Sequence, residues 1–482
     1  MFIGRARELA TLEQLYQRNT FQFVVMYGRR RVGKTALLTH FIQDKKAIYF
    51  MGVESNAKQN LENMSASIFS TVLGGDEKGN VSFSSFQEAL EFVFKRSQKE
   101  QLIFVIDEYP YVARASRSLA STLQLVIDKY KDTSRLMLVL CGSSMSYMED
   151  HVLAYKAPLY GRRTGQLKIQ PFDFAETCQY FPHFSPYDKA LAYGIVGGTP
   201  QYLLQLQDQC SMEDNIKQTF LNPASSLFEE PENLLKQEVR EPALYNAIIT
   251  AIATGASRLA DIAMKVGETT SVCSIYLKNL MSLGLIKRET PYGEKASRKS
   301  IYCIDDNMFR FWYRFIPENL SIIARGATDL AYRRIAPHIS DYMGHVFEEI
   351  CKQYLWHVLL HDASPVQFTD LGRWWGTDPT TRKQTEIDIM GVQDKCTALF
   401  GECKWTEEKV NYHVLETLEH RSSLFSYPHV TLYLFAKTGF TDTCIEEAKK
   451  RGNVQLVTYP MIVQSLVQPE DGVCKKSYST IQ

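Results

Sequence analysis

In "YGRRRVGKTALL", glycine and lysine-threonine spacing of the form GxxxxGK[ST] suits the chemistry of holding a nucleoside triphosphate by its phosphates. Gly28 and Gly33 let backbone N–H groups curl around an anion at a helix N-terminus. Arg29, Arg30, Arg31, Val32 and Ala36 fill the rest of this phosphate cradle. Lys34 has the reach for the β- and γ-phosphates, and the Thr35 hydroxyl is a ligand for Mg²⁺. A short apolar run, Phe23–Met26, precedes the loop and a helical pattern follows it.

A phosphate loop needs acid delivered to its metal. "LIFVIDEYP" reads as a buried parallel strand, Leu102–Ile106, ending in Asp107 and Glu108. Asp107 is expected to hold Mg²⁺ through water, and Glu108 to orient or deprotonate the attacking water. A third strand, "RLMLVLCGSS", ends in Ser143 and Ser144. Ser143 is placed to sense the γ-phosphate; the alternative is that these hydroxyls cap the next helix.

A second constellation lies far downstream, in "EIDIMGVQDKCTALFGECKW". Pleat alternation puts Glu402 and Lys404 on one face and Cys403 on the other, and sets Asp388 opposite Ile387 and Ile389. If the two strands pair, Asp388, Glu402 and Lys404 converge. Two carboxylates at one point repel unless a cation lies between them. Mg²⁺ suits such oxygen ligands, with Mn²⁺ as a substitute, and a neighbouring lysine stabilises charge that develops during attack on a phosphodiester. With Glu348 on the preceding helix, the set resembles the PD-(D/E)xK nucleases. Its expected metal ligands are Asp388 and Glu402.

The elements that position these groups need more than one core. The chain has 482 residues, too many for a single one. Lys plus Arg balance Asp plus Glu at 54 each, so a nucleic-acid contact must come from a local patch and no membrane partner is expected. The ten cysteines form no CxxC pair, which disfavours a zinc site or a disulfide framework and fits a reducing cytosol. Without a signal-like start or a membrane-length apolar run, the expectation is a cytoplasmic protein.

Between the two constellations, Leu259, Ile262, Ala263 and Val266 mark one short helix, ended by Gly267. Val272, Ile275, Tyr276, Leu277 and Leu280 mark the next. "LGLIKRE" and "RKSIYCI" then alternate like a hairpin, giving the order of a winged helix-turn-helix. Its second helix offers only Lys278 as a basic residue, which argues against sequence-specific readout. Lys287, Arg288, Lys295, Arg298 and Lys299 on the hairpin suit DNA phosphates; the alternative is a packing module that relays the nucleotide state.

"FIGRARELATLEQLY", "VIDEYPYV", "CGSSMSYM", "PLYGRRTGQLKIQPF" and "GGTPQYL" occur in the order seen in archaeal-type ATPases of the AAA/STAND group, which this chain resembles. The resemblance implies that Phe2, Gly4 and Arg5 lie beside the adenine. It further implies that Arg162 or Arg163 contacts the γ-phosphate, and that Gly197–Pro200 sits in a lid over the nucleotide. "GHVFEE", "EIDIMG" and "GECKW" resemble the nuclease-like module often fused to such ATPases.

The expected fold is therefore multidomain α/β. It comprises a P-loop NTPase parallel sheet (1–180), a helical lid (181–238), a winged helix-turn-helix (239–306), linker helices (307–335) and an α/β restriction-endonuclease-like domain (336–482). Two functions compete: an ATP-regulated, metal-dependent DNA nuclease, and a STAND-type switch whose last domain docks a protein partner or a second copy.

Overall fold

The computed structural model of the chain describes residues 2–73, 82–295 and 299–467. Three apolar runs form β1 (Gln22–Tyr27), β3 (Leu102–Asp107) and β4 (Leu136–Gly142), each buried along its whole length. Strands buried on both faces favour a parallel sheet covered by helices. With β2 (Ala47–Met51) and β5 (Gly165–Lys168) they make a parallel sheet in the order β2-β3-β4-β1-β5. Val24, Met26, Ile103 and Val105 pack on one face, and Phe23, Val25, Phe104 and Ile106 on the other. Parallel strands end on one edge, so the segments after β1, β3 and β4 meet there.

Helices α1 (Lys34–Ile42) and α2 (Tyr109–Ala115) follow β1 and β3, and further helices after β5 end in α3 (Glu230–Glu238). Helices α4 (Leu259–Val266) and α5 (Thr270–Ser282) come next, separated by Gly267 in the left-handed region at φ 75°. Thr269 caps α5 by accepting from the N–H of Val272. The hairpin of β6 (Ile286–Glu289) and β7 (Ile301–Ile304) completes a helix–hairpin unit. Helix α6 (Asn307–Phe315) then leads towards α7 (Thr328–Leu360).

Helix α7 carries Pro337 in its interior and runs straight through the domain boundary expected at 335/336. Its buried stripe, including Met343, Phe347, Ile350 and Cys351, is continuous with residues on both sides of that point. Packing therefore overrides the missing N–H of the proline. Phe172, Phe174 and Cys178 pack with the helices that follow β5.

The last sheet is mixed, in the order β12-β11-β10-β9-β8. Its strands are β8 (Leu371–Thr377), β9 (Gln384–Val392), β10 (Thr397–Lys404), β11 (His429–Ala436) and β12 (Val454–Thr458). Helix α8 (Tyr412–Ser422) crosses between β10 and β11. One apolar cluster runs from Tyr202 in the lid through Leu277 and Tyr302 to Phe347, Leu399 and Phe435. Burying a side chain such as Phe347 stabilises by roughly 1.5–3 kcal/mol, so this shared core resists separation of its parts. Among the described residues, no helix is long and apolar enough to cross a membrane.

Candidate functional site

The edge where β1, β3 and β4 end carries the first constellation. Gly33 adopts φ 87° at the start of α1, a conformation that a side chain disfavours. Gly28 is required for a different reason: a Cβ there would lie 2.4 Å from the carbonyl oxygen of Ile169. Lys34 Nζ donates to the carbonyls of Gly28 and Arg29 at 2.9 and 3.0 Å, curling back over its own loop. Thr35 donates its hydroxyl to Asp107 at 2.8 Å. Tyr49, which sequence spacing did not single out, donates to the same carboxylate oxygen at 2.5 Å.

Glu108 has φ 49°, an uncommon backbone state for a residue with a side chain, and accepts from the Ser143 hydroxyl at 2.8 Å. A cleft of about 1140 Å³ opens over Lys34, Thr35 and Ala36, with Glu108, Ser143 and Pro200 on its walls. Pro200, from the "GGTP" segment, approaches within 3.5 Å of where a side chain on Gly33 would begin. Phe2 stacks on His40, another wall residue, with ring centroids 4.2 Å apart. Gly4 and Arg5 both have positive φ; the Arg5 guanidinium donates to the Val32 carbonyl at 2.9 Å and lies over Phe172. Val32 itself is buried.

The three arginines of the loop point to acids far along the chain. Arg29 pairs with Asp306 at 2.5 Å and with the Thr199 hydroxyl, away from the cleft. Arg30 pairs with Glu238 at 3.1 Å, and Arg31 with Glu230. Their guanidinium groups thus tie the loop to α3 and to the cap of α6, a role that local spacing cannot reveal.

Arg162 and Arg163 are not brought to this cleft within the chain. Strand β5 pairs in parallel with β1 from Val24 onwards, and the Thr164 N–H donates to the Phe23 carbonyl. The two arginines precede β5 and so lie at the end of the sheet opposite the phosphate loop. Asp128 binds Arg162 at 2.6 Å, and Arg163 lies over the Tyr160 ring.

In the last sheet, β9 and β10 pair antiparallel, with Phe400 opposite Met390 and Gly401 opposite Ile389. The pairing ends there, and Glu402 and Asp388 follow next on their strands, close enough for Glu402 to act on the Asp388 carboxyl. The alternation expected around Asp388 does not hold: Ile387 packs with Met390 and Phe400, whereas Ile389 packs in the other cluster. The cause is a register shift against β8 between Gly372 and Trp374, which re-aims the strand at Asp388. Asp388 accepts from the Cys403 N–H at 2.8 Å, while Cys403 packs towards α7.

Lys404 donates to Glu402 Oε1 at 2.7 Å, and Arg421 of α8 donates to Oε2 at 2.9 Å. Burial, then the proximity of Glu402 and Glu348, pushes the Asp388 carboxyl up to about 7. Burial also raises Glu348 to about 7, and its Oε2 is buried without a hydrogen-bond partner. Arg421 and Arg373 were missed by sequence reasoning, since no motif spacing links them to the acids.

Among the described residues, no three His, Cys, Asp or Glu side chains form a metal-binding group. A hard cation that keeps most of its waters needs only one or two carboxylates. The Thr35–Asp107 and Asp388–Glu402 pairs fit that demand.

On the helix–hairpin unit, Lys287 is drawn inward by Glu289 and Glu349 at 3.0 and 3.1 Å, which removes it from the expected phosphate-facing set. Arg288 donates to Ser300, and Lys299 pairs with Glu294. Lys295 is exposed, and Arg298 lies outside the described residues.

Residues 2–206 match the model of an ATPase domain predominantly from Archaea, and 312–415 that of archaeal and bacterial proteins of unknown function. The protein MJECL04 of Methanocaldococcus jannaschii, called uncharacterized, is 32% identical over 411 residues, covering 85% of this chain and 88% of that one. The chain belongs to this family of archaeal-type ATPases. The ATP-binding protein MJ0423 of the same organism, also called uncharacterized, is 46% identical over 46 residues, 10% of this chain and 78% of its own. Among solved structures, the Walker-type ATPase PABY2304 of Pyrococcus abyssi is 21% identical, with a TM-score of 0.49 over 65% of this chain and 96% of its own. The Orc1 protein of Aeropyrum pernix in complex with DNA is 14% identical, with a TM-score of 0.35 over 67% and 95%. Membership of a P-loop ATPase family implies ATP and Mg²⁺ as the ligands of the first site.

Proposed function

We propose that this archaeal-type ATPase hydrolyses ATP and carries a divalent-metal-dependent DNA nuclease of the PD-(D/E)xK kind in its last domain. The helix–hairpin unit acts as a winged helix between them, and the nucleotide state governs DNA binding or cleavage. The observation that carries this reading is Asp388 beside Glu402 at a strand irregularity, with Lys404 bound to Glu402 and Glu348 close by. Asp388 and Glu402 would hold the cation, which supplies charge neutralisation at a phosphodiester. Lys404, at the mouth of the pair, orients water or stabilises the developing charge.

At the first site, Thr35 and Asp107 are the Mg²⁺ side, Lys34 the phosphate contact, and Glu108 the residue that positions water. The Ser143 hydroxyl bond to Glu108 makes that carboxylate responsive to what occupies the γ-phosphate position.

A second reading is favoured by one observation: all three loop arginines are paired with acids of the lid and the start of α6. A STAND-type switch would use such ties to report nucleotide state to a domain that docks a partner without cutting. Incubating supercoiled plasmid with the protein, with and without ATP, Mg²⁺ and Mn²⁺, separates the two. Metal-dependent nicking that is lost in Asp388→Ala supports the nuclease. Absence of both nicking and Mn²⁺ binding in every nucleotide state leaves the switch.

A further inference from the structure

A cleft of about 460 Å³ lies between the helix–hairpin unit and the last sheet. Arg258 and Ile301 line it from the unit, and Arg373, Trp375, Glu386 and Arg421 from the sheet side. Three arginines against one carboxylate make it locally basic in a chain whose overall charge is balanced. It lies next to the acid pair, because Arg421 of its lining is itself bound to Glu402.

Two of these arginines are incompletely used. Arg421 spends one arm on Glu402 and Arg373 one arm on Glu386, yet the Nε–H of each is buried with no acceptor. A buried donor left without a partner costs about 1–3 kcal/mol, which favours a small turn of the side chain towards an anion in the cleft. The guanidinium fork matches phosphate oxygens two at a time, which an ammonium cannot do.

The hairpin is anchored to the sheet beside the cleft. Tyr292, at the turn of the hairpin, donates its N–H to the Arg373 carbonyl at 2.9 Å and accepts at its hydroxyl from the Val392 N–H at 3.1 Å. A Cβ on Gly372 would lie 2.9 Å from the Tyr292 ring, so strand β8 is shaped to receive it. At about 460 Å³ the cleft has room for a nucleotide or two and not for a duplex.

We propose that this cleft seats a single DNA strand, with Arg373 and Arg421 holding one phosphodiester at the acid pair, Trp375 stacking the adjoining base and Arg258 meeting the next phosphate. The proposal rests on the nuclease reading for the use of the strand but not for its binding. Arg373 and Arg421 are positioning residues, and aromatic stacking with basic contacts is how single strands are held without sequence preference.

The test is fluorescence anisotropy of a fluorescein-labelled single-stranded oligonucleotide and of the same sequence as a blunt duplex. Titrations in EDTA prevent cutting. Wild type is expected to prefer the single strand. Arg373→Gln and Arg421→Gln should each weaken it by ~10-fold and lower its salt dependence. Trp375→Ala should weaken the single strand with an unchanged salt slope. Thermal melting and ATP binding confirm that each variant is folded. Equal or tighter binding of the duplex, or wild-type strand affinity in the folded arginine variants, overturns the seat. Plasmid nicking is scored separately: strand binding without nicking leaves the seat and removes the nuclease, and nicking with unaffected strand binding does the reverse.

Discussion

Arg29 in the phosphate loop and Asp306 at the start of α6 form a 2.5 Å ion pair across 277 positions of sequence. Both are nearly inaccessible, at 6% and 5% exposure. Asp306 also accepts from the Phe309 N–H at 2.9 Å and so caps the helix that leads to the last domain. One carboxylate thus fixes both the nucleotide loop and the first turn of α6.

Asp306→Asn keeps the cap but leaves the Arg29 charge buried without its counterion. Breaking such a pair by removing one partner costs about 3–5 kcal/mol. Urea unfolding should show that loss, and the double variant Arg29→Met, Asp306→Asn should recover much of it. A single variant as stable as wild type would mean that water or Thr199 alone suffices for Arg29.

Glu108→Gln is expected to keep ATP affinity and slow single-turnover hydrolysis by roughly 10²–10⁴. The amide retains an acceptor for the Ser143 hydroxyl, so the geometry at 2.8 Å survives while the base is removed. Unchanged turnover would assign water activation to another group.

Legibility in the sequence followed distance along the chain. The phosphate loop, Asp107 with Glu108, and Ser143 each close a short apolar strand, so local pattern and parallel topology together determined where they meet. The approach of Asp388 to Glu402 was readable from the pleat, but the irregularity at Asp388 was not. That slip sets a step of three residues in β9 against two in β8, and the sequence alternation of β9 does not announce it. The partners of Arg29, Arg30 and Arg31 were invisible for a similar reason, since pairing across hundreds of residues depends on docking of the lid. Arg162 and Arg163 lie away from the cleft of their own chain because their position is governed by the direction of β5, not by their own charge.

Asp388 gives a pH signature. Burial, with Glu402 and Glu348 nearby, raises its carboxyl to about 7. The folded state therefore binds this proton more tightly than the unfolded chain, whose aspartate titrates near ~3.9. Its stabilising contribution is complete in acid below that value and is lost as pH rises through about 7. Without divalent metal, Asp388→Asn should match wild type in acid and gain on the order of 1–3 kcal/mol over it in mild base. Thermal melts across that range check the widening gap, and Mn²⁺ should narrow it by favouring wild type alone. A gap independent of pH would show that Asp388 stays ionised.

Lys404 separates binding from chemistry. Its amine is bound to Glu402 Oε1 at 2.7 Å, while Arg421 holds Oε2 at 2.9 Å. Burial opposes the charge, but the attraction and hydrogen bond of Glu402 together with the attraction of Asp388 outweigh it and keep the ammonium charged, so Lys404 offers positive charge rather than a free base. Lys404→Ala leaves Glu402 with one cationic partner and leaves Asp388 on the Cys403 N–H, so the fold and the cation donors persist. Calorimetry with Mn²⁺ should give near wild-type affinity, and plasmid nicking should fall by roughly 10²–10³, the cost of losing one charge-stabilising donor. Lys404→Arg should restore the ion pair without full activity, because the planar fork cannot occupy the position of a compact ammonium. If Lys404→Ala nicks as fast as wild type, the lysine serves only to neutralise Glu402, and charge stabilisation at the phosphodiester falls to Arg421.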